Sequence, residues 1–246
     1  MSRKFVIRLA GINIGITHRY QKVKQVFNEY IVDAEPELNI NITDEDIRSD
    51  RERYSKVENR NLSFLVWRYY EATSIYRKIC LELMDFDAFL LHAAVVAVDG
   101  EGYAFLAKSG TGKTTHAKYW LNYFGERAYM VNGDRPIVRI LGDEVFAYGT
   151  PICGKENENV NIGVPLKAIF FLERGQGTTV TKMPGEMIPE RIASQLLITK
   201  NGKQREKVFE LADRMMNLVP MYRLSCDMNP DSARIVWESI QGVSEE

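Results

Sequence analysis

Cysteine is scarce in this 246-residue chain: there are three, Cys80, Cys153 and Cys226. They lie far apart and form no CxxC pair, which excludes a disulfide framework and a zinc ribbon and points to reduced thiols. Charge of one sign is not in excess either. Lys plus Arg number 32 against 33 Asp plus Glu, a formal net charge of −1. No global field therefore recruits nucleic acid or anionic lipid, and no basic aromatic face suggests a nucleic-acid binder. Long apolar runs are missing: no segment reaches the roughly 18 residues of a membrane span. The opening MSRKFVIRLAGINIGITHRY has a basic start and an apolar run. Arg8 and Asn13 interrupt it, however, and no small-residue cleavage pattern follows. The expectation is a cytoplasmic protein with no membrane partner, without repeats or low-complexity linkers.

Hydrophobic residues make up 45% of the chain, enough for a substantial core. The length suits one domain or a core with an appendage. The division expected is a strand-and-helix region over 1–85 packing on a nucleotide-binding domain over 86–246. Alternation across residues 5–16 predicts a strand, with a hairpin turning near Gly11. The acid-rich NITDEDIRSDRERYSK fits a solvated loop or an exposed helix. Ile75, Ile79, Leu83 and Phe86 recur at helical spacing. LLHAAVVAVDGEGYAFLAKSG reads as two strands joined at Asp99-Gly100-Glu101-Gly102. A helix over 114–124 follows, with Gly125 placed to end it. AYMVNGDRPIVRI, EVFAYGTPI, LKAIFFLER and PMYRLSC are further strands. VFELADRMMNLV predicts a helix with Val208, Leu211, Met215 and Leu218 on its core face, and PDSARIVWESI a closing helix. At least one strand pair must be antiparallel, so the fold class is α/β with a mixed sheet.

The chemistry gathers at FLAKSGTGKTTHAKYW. Ala107-x4-Gly112-Lys113-Thr114 is a Walker A pattern with Ala in the first Gly position, and it follows a strand and opens a helix. Gly110 and Gly112 permit positive φ and let backbone N–H groups converge on phosphate oxygens. The helix directs unsatisfied N–H groups and its positive dipole end at the anion. Lys113 is a point charge for the β and γ phosphates, and the Thr114 hydroxyl can join a Mg²⁺ shell. The expected cradle runs through Lys108, Ser109, Gly110, Thr111, Gly112, Lys113, Thr114 and Thr115. In VNGDRP, Asp134 ends an apolar strand and can orient or deprotonate an acceptor hydroxyl. Asn-Gly-Asp is equally good turn chemistry. His116 reads as packing or exposed, and the cations of TKNGKQREK as a solvated turn or a substrate contact.

The hairpin feeding this loop is similar to that of the phosphoenolpyruvate carboxykinase and HPr kinase/phosphorylase superfamily. The spelling SGTGKTT resembles the carboxykinases. The His92 segment, the hairpin and the chain size resemble HPr kinase catalytic domains and the short HPr-kinase-like proteins of bacteria. The likeness covers residues 90–173. It implies a P-loop kinase core, ATP with Mg²⁺, and a histidine at His92 close to the phosphoryl group. It also implies metal contacts from Asp134 and Glu156, the latter in the polar stretch within 148–168. Arg135 or Lys155 would neutralise the transferring phosphate. Where the family places one or two adjacent aspartates, Gly133 and Arg135 flank a single one, and the HPr kinase signature is not reproduced. The function expected is an ATP-dependent kinase acting on a hydroxyl of a small molecule or of a peptide or protein serine. The alternative is a module that binds ATP without turnover. HPr kinases form rings, so the resemblance allows a homo-oligomer.

Overall fold

The computed structural model describes residues 3–58, 67–108, 110–154, 158–227 and 229–242. The chain divides into two compact units, Met1–Leu83 and Met84–Glu246. The first opens with the expected hairpin, β1 (Arg3–Leu9) and β2 (Ile12–His18), turning at Ala10 and Gly11, both at positive φ. Ile7, Leu9, Ile14 and Ile16 are buried, the in-facing residues of an alternating pattern. Helix α1 (Gln21–Val26) and two short strands, β3 (Ile31–Val32) and β4 (Leu38–Ile40), follow, giving the sheet order β3-β1-β2-β4. The acid-rich stretch is a helix, α2 (Asp44–Glu58). Thr43 and Asp46 close its first turn reciprocally: Thr43 Oγ1 accepts from the Asp46 amide at 3.2 Å, and Asp46 accepts from the Thr43 amide at 2.7 Å. Helix α3 (Trp67–Glu82) buries Ile75 and Ile79 as the spacing required.

The second unit holds a nine-stranded mixed sheet. Strands β5 (Ala88–Leu90), β6 (Ala94–Val98) and β7 (Glu101–Leu106) lead into α4 (Lys113–Phe124). β6 and β7 pair antiparallel through a two-residue turn. Its residues Asp99 and Gly100 have φ of +51° and +83°, the left-handed pair that matches strand twist. Glu101 already pairs with Val98, so the turn is tighter than the four residues expected. Then come β8 (Ala128–Asn132), β9 (Ile137–Leu141), β10 (Glu144–Tyr148), β11 (Gly163–Arg174), β12 (Thr179–Lys182), α5 (Ile188–Ala193), α6 (Gly202–Leu218), β13 (Met221–Cys226) and α7 (Ser232–Gly242). The order is β5-β9-β10-β11-β7-β6-β8, with β13 pairing β11 and β12. β11 runs parallel to both β7 and β13.

Helices α4 and α7 cover one face of this sheet. Trp120 is fully buried among Tyr103, Phe105, Phe170 and Trp237, with ring centroids 5.1–6.1 Å apart. Truncating such a residue costs about 3–5 kcal/mol, so this cluster fixes α4, and with it the glycine loop, on β7. Asn201 caps α6 by accepting from the Gln204 amide, which makes the basic cluster around it a helix start. Val208, Leu211 and Met215 are buried as expected, whereas Leu218 is 39% exposed. It lies in the last turn, beyond the face the sheet covers.

Candidate functional site

Parallel neighbours β7 and β11 end on the same side, where ligands of α/β sheets collect. The loop leaving β7 begins at Ala107 and turns through Gly110 and Gly112, with φ of +77° and +110°. The Thr111 amide donates to the Lys108 carbonyl at 3.2 Å, and Arg174, ending β11, donates to the Gly110 carbonyl at 2.9 Å. Among the described residues no side chain caps α4 at Gly112, so its first-turn N–H groups are left for an anion. Thr114 and Thr115 sit in that first turn, half-buried, and Lys108 is exposed on the loop. Ser109 lies outside the described residues, as do Lys155 and Glu156.

Lys113 is nearly buried, and its Nζ donates to the Ala107 carbonyl at 3.0 Å. Burial pushes its pKa down, opposed by the charge of Asp134. Nζ also lies 3.4 Å from His92 Nε2, which is 3.0 Å from Asp134 Oδ1. Arg135 Nε stands 3.2 Å from Asp134 Oδ2. Burial alone would raise the Asp134 pKa; the hydrogen bond and charge of His92, with Arg135 and Lys113, more than offset this and hold it below the usual range. An ionised carboxylate only accepts, so His92 Nε2 carries a proton in that contact. Its distance to Lys113 is then proximity, not a bond. The fold thus gathers His92, Lys113, Asp134 and Arg135 at the mouth of the glycine loop.

His92 is not inside a strand as its apolar surroundings implied. It falls between β5 and β6, where its amide donates to the Gln195 carbonyl at 2.9 Å. The Ala93 amide donates to the Asp134 carbonyl at 3.2 Å, tying the two segments together. Asn-Gly-Asp is indeed a turn, and the turn is what presents Asp134. Fully buried Asn132 accepts from the amides of Asp134 and Arg135 at 2.9 and 2.7 Å. Its Nδ2 donates to Thr150, whose hydroxyl donates in turn to the Arg135 carbonyl at 2.8 Å. Sequence reasoning passed over Asn132 and Thr150, although the Asx-turn spelling was the available signal for the first.

The stretch after β10 folds against this turn. Gly154, at φ +87°, approaches so closely that a Cβ there would lie 3.1 Å from that of Asp134. The Glu158 backbone passes beside Gly133, and Glu158 Oε2 is buried without a hydrogen-bond partner among the described residues. Among the described residues no group of three His, Cys, Asp or Glu side chains gathers into a metal site. His116 is structural: it is buried, accepts from Trp120 Nε1 at 3.2 Å, and burial pushes its pKa down to about 4. Two cavities flank the glycine loop. One of about 420 Å³ is lined by Gly112, His116, Tyr119, Leu172 and Cys226. The other, of about 620 Å³, is lined by Ala107, Lys108, Phe171, Glu173, Arg191 and Gln195.

No described helix is long and apolar enough to cross a membrane. No curated protein matches the chain. Among solved structures, an Hpr(Ser) kinase/phosphatase from Coxiella burnetii is similar at 10% identity, over 63% of this chain and 98% of that one, with a TM-score of 0.35. That likeness is too distant for any residue role to be carried across. The model of the family described as SynChlorMet cassette protein ScmC matches residues 67–243, most of the chain, and the chain belongs to that family.

Proposed function

We propose that this protein is a phosphotransferase that moves the γ-phosphate of ATP to an acceptor hydroxyl. One observation carries the reading: the Walker-type lysine, the Asp134 carboxylate and His92 converge on the start of a glycine loop that opens a helix at Gly112. Phosphoryl transfer asks for little more than positioning, charge neutralisation and a group to take the acceptor proton. The loop amides and α4 hold the phosphate chain. The 420 Å³ cavity beside Tyr119 and Leu172 suits the nucleoside, being mostly apolar in lining. In the transfer, the acceptor oxygen forms a bond to the γ-phosphorus as the bond to the β–γ bridging oxygen breaks. ADP leaves with that electron pair, and the acceptor proton passes to Asp134, which His92 and Arg135 hold ionised and ready to receive it.

Mg²⁺ is bound in such sites by one or two carboxylates, a hydroxyl and phosphate oxygens. Thr114 and Asp134 would supply that donor set. When bound, the ion neutralises charge developing on the phosphates.

A second reading, ATP binding without turnover, draws on the engagement of both Asp134 oxygens by His92 and Arg135. Calorimetry with Mg·ATP and a labelled-phosphate assay separate the two. Lys113→Ala is expected to weaken ATP binding at least tenfold. Asp134→Asn is expected to retain ATP affinity within a few-fold while turnover falls by about 10²–10⁴. Wild-type protein that binds ATP and never releases or transfers phosphate contradicts the kinase reading.

A further inference from the structure

We infer that Arg174 is a second cation for the phosphate chain of the nucleotide, and that its guanidinium exchanges the Gly110 carbonyl for a phosphate oxygen when the nucleotide binds. The inference rests on the nucleotide site of the proposed function and adds a binding residue that lies outside the Walker pattern.

Placement comes first. β11 runs parallel to β7 with Phe171 opposite Leu106, where β7 ends. β11 continues as far as Arg174, so its last residues pass alongside the glycine loop. Alternation then sorts them between the two faces of the sheet. Phe170 and Leu172 belong to the core under α4, with Phe105 and Trp120. Arg174 follows them on that face, at the end of the sheet where α4 begins, and lines the smaller cavity beside Gly112 and His116. Glu173 faces the other way and is taken by Arg191 and Arg223. The Arg174 backbone is held independently of its side chain. It pairs with Cys226 of β13, and the next amide, of Gly175, donates to the Cys226 carbonyl at 3.0 Å.

Charge is the second observation. Arg174 Nη2 donates at 2.9 Å to the Gly110 carbonyl, a neutral acceptor within the loop itself. Arg174 also lines both cavities that flank the loop, as do Thr111 and Leu172. The remaining charges on those linings are Lys108, Glu173, Glu190 and Arg191 in the larger and Asp227 in the smaller. Arg191 is committed to Glu173, and Arg135 nearby is committed to Asp134. Arg174 makes no ion pair among the described residues, with Glu190 and Asp227 included. A fork of several N–H donors thus spends one of them on a carbonyl and meets no anion. Hydrogen bonds to an ionised acceptor are about twice as strong as those to a neutral one, and the planar guanidinium fits phosphate oxygens better than an ammonium does. Because Arg174 is exposed, its guanidinium can turn from carbonyl to phosphate without disturbing the core.

The test is calorimetry of Mg·ATP binding to the full-length protein at low and high salt, about 0.05 M and 0.5 M. Wild type is compared with Arg174→Met, which keeps the apolar stem, and with Arg174→Lys, which keeps the charge. At low salt Arg174→Met is expected to raise the Kd for ATP at least tenfold, and Arg174→Lys about threefold or less. At high salt the ratio between Arg174→Met and wild type is expected to shrink at least threefold, because screening weakens a charge contact. A residue that only latched the loop or walled the cavity gives a ratio that salt does not move. Circular dichroism matching the wild type shows that both variants are folded. A Kd unmoved by Arg174→Met, a lysine variant as weak as the methionine one, or a ratio insensitive to salt overturns the inference and leaves the nucleotide site standing. Failure of the wild type to bind ATP at either salt concentration overturns the underlying reading instead.

Discussion

Asn132 holds more of the site than its side chain suggests. Buried completely, it satisfies two amides of the turn and two groups of Thr150. Those four contacts decide where Asp134 stands relative to His92. Asn132→Leu keeps the volume and strands the amides, which costs about 2–4 kcal/mol when buried donors lose their partner. Urea denaturation should show that loss, with phosphoryl transfer falling alongside it. A variant of wild-type stability contradicts this role of Asn132. Lys113 and Asp134 were legible as single letters in a pattern. Resemblance alone put His92 near the phosphoryl group, and its contact with Asp134 was not foreseen, because it joins segments 42 residues apart and nothing in the local spelling of either says which segments become neighbours.

At the scale of elements, hairpins and helices were the readable part. Ala10-Gly11 and Asp99-Gly100 announce their turns because the backbone there needs left-handed φ. Alternation placed β1 and β2, and helical spacing placed the buried side of α6. Leu218 was misplaced because periodicity does not say where the covering sheet ends. The acid-rich segment could not be decided, since a polar helix and a polar loop share composition; its Thr43/Asp46 cap was the overlooked cue. The glycine loop itself makes a sharper demand. Gly112 has φ +110°, a conformation costly for any residue with a Cβ. Gly112→Ala is expected to leave the α4 core folded by circular dichroism and to weaken ATP binding at least tenfold in calorimetry. Unchanged affinity would show that the loop does not need this geometry.

For the whole molecule, acid stability is tied to one buried ring. His116 accepts from Trp120, and burial pushes its pKa down to about 4, while in the unfolded chain a histidine titrates near 6.5. Between those values the unfolded state binds a proton that the folded state refuses, so stability falls as pH drops through that window and levels off below it. The loss is of order 3 kcal/mol at most. His116→Gln should flatten this limb when urea midpoints at pH 7 and pH 5 are compared, and an unaltered slope excludes His116 as its source. The two-residue turn between β6 and β7 bears on how the chain assembles. A tight hairpin closes within microseconds, whereas the parallel alignment of β7 with β11 waits on chain segments far apart. During synthesis the arm that carries the glycine loop can thus zip up first and stand as a template on which the later strands are laid.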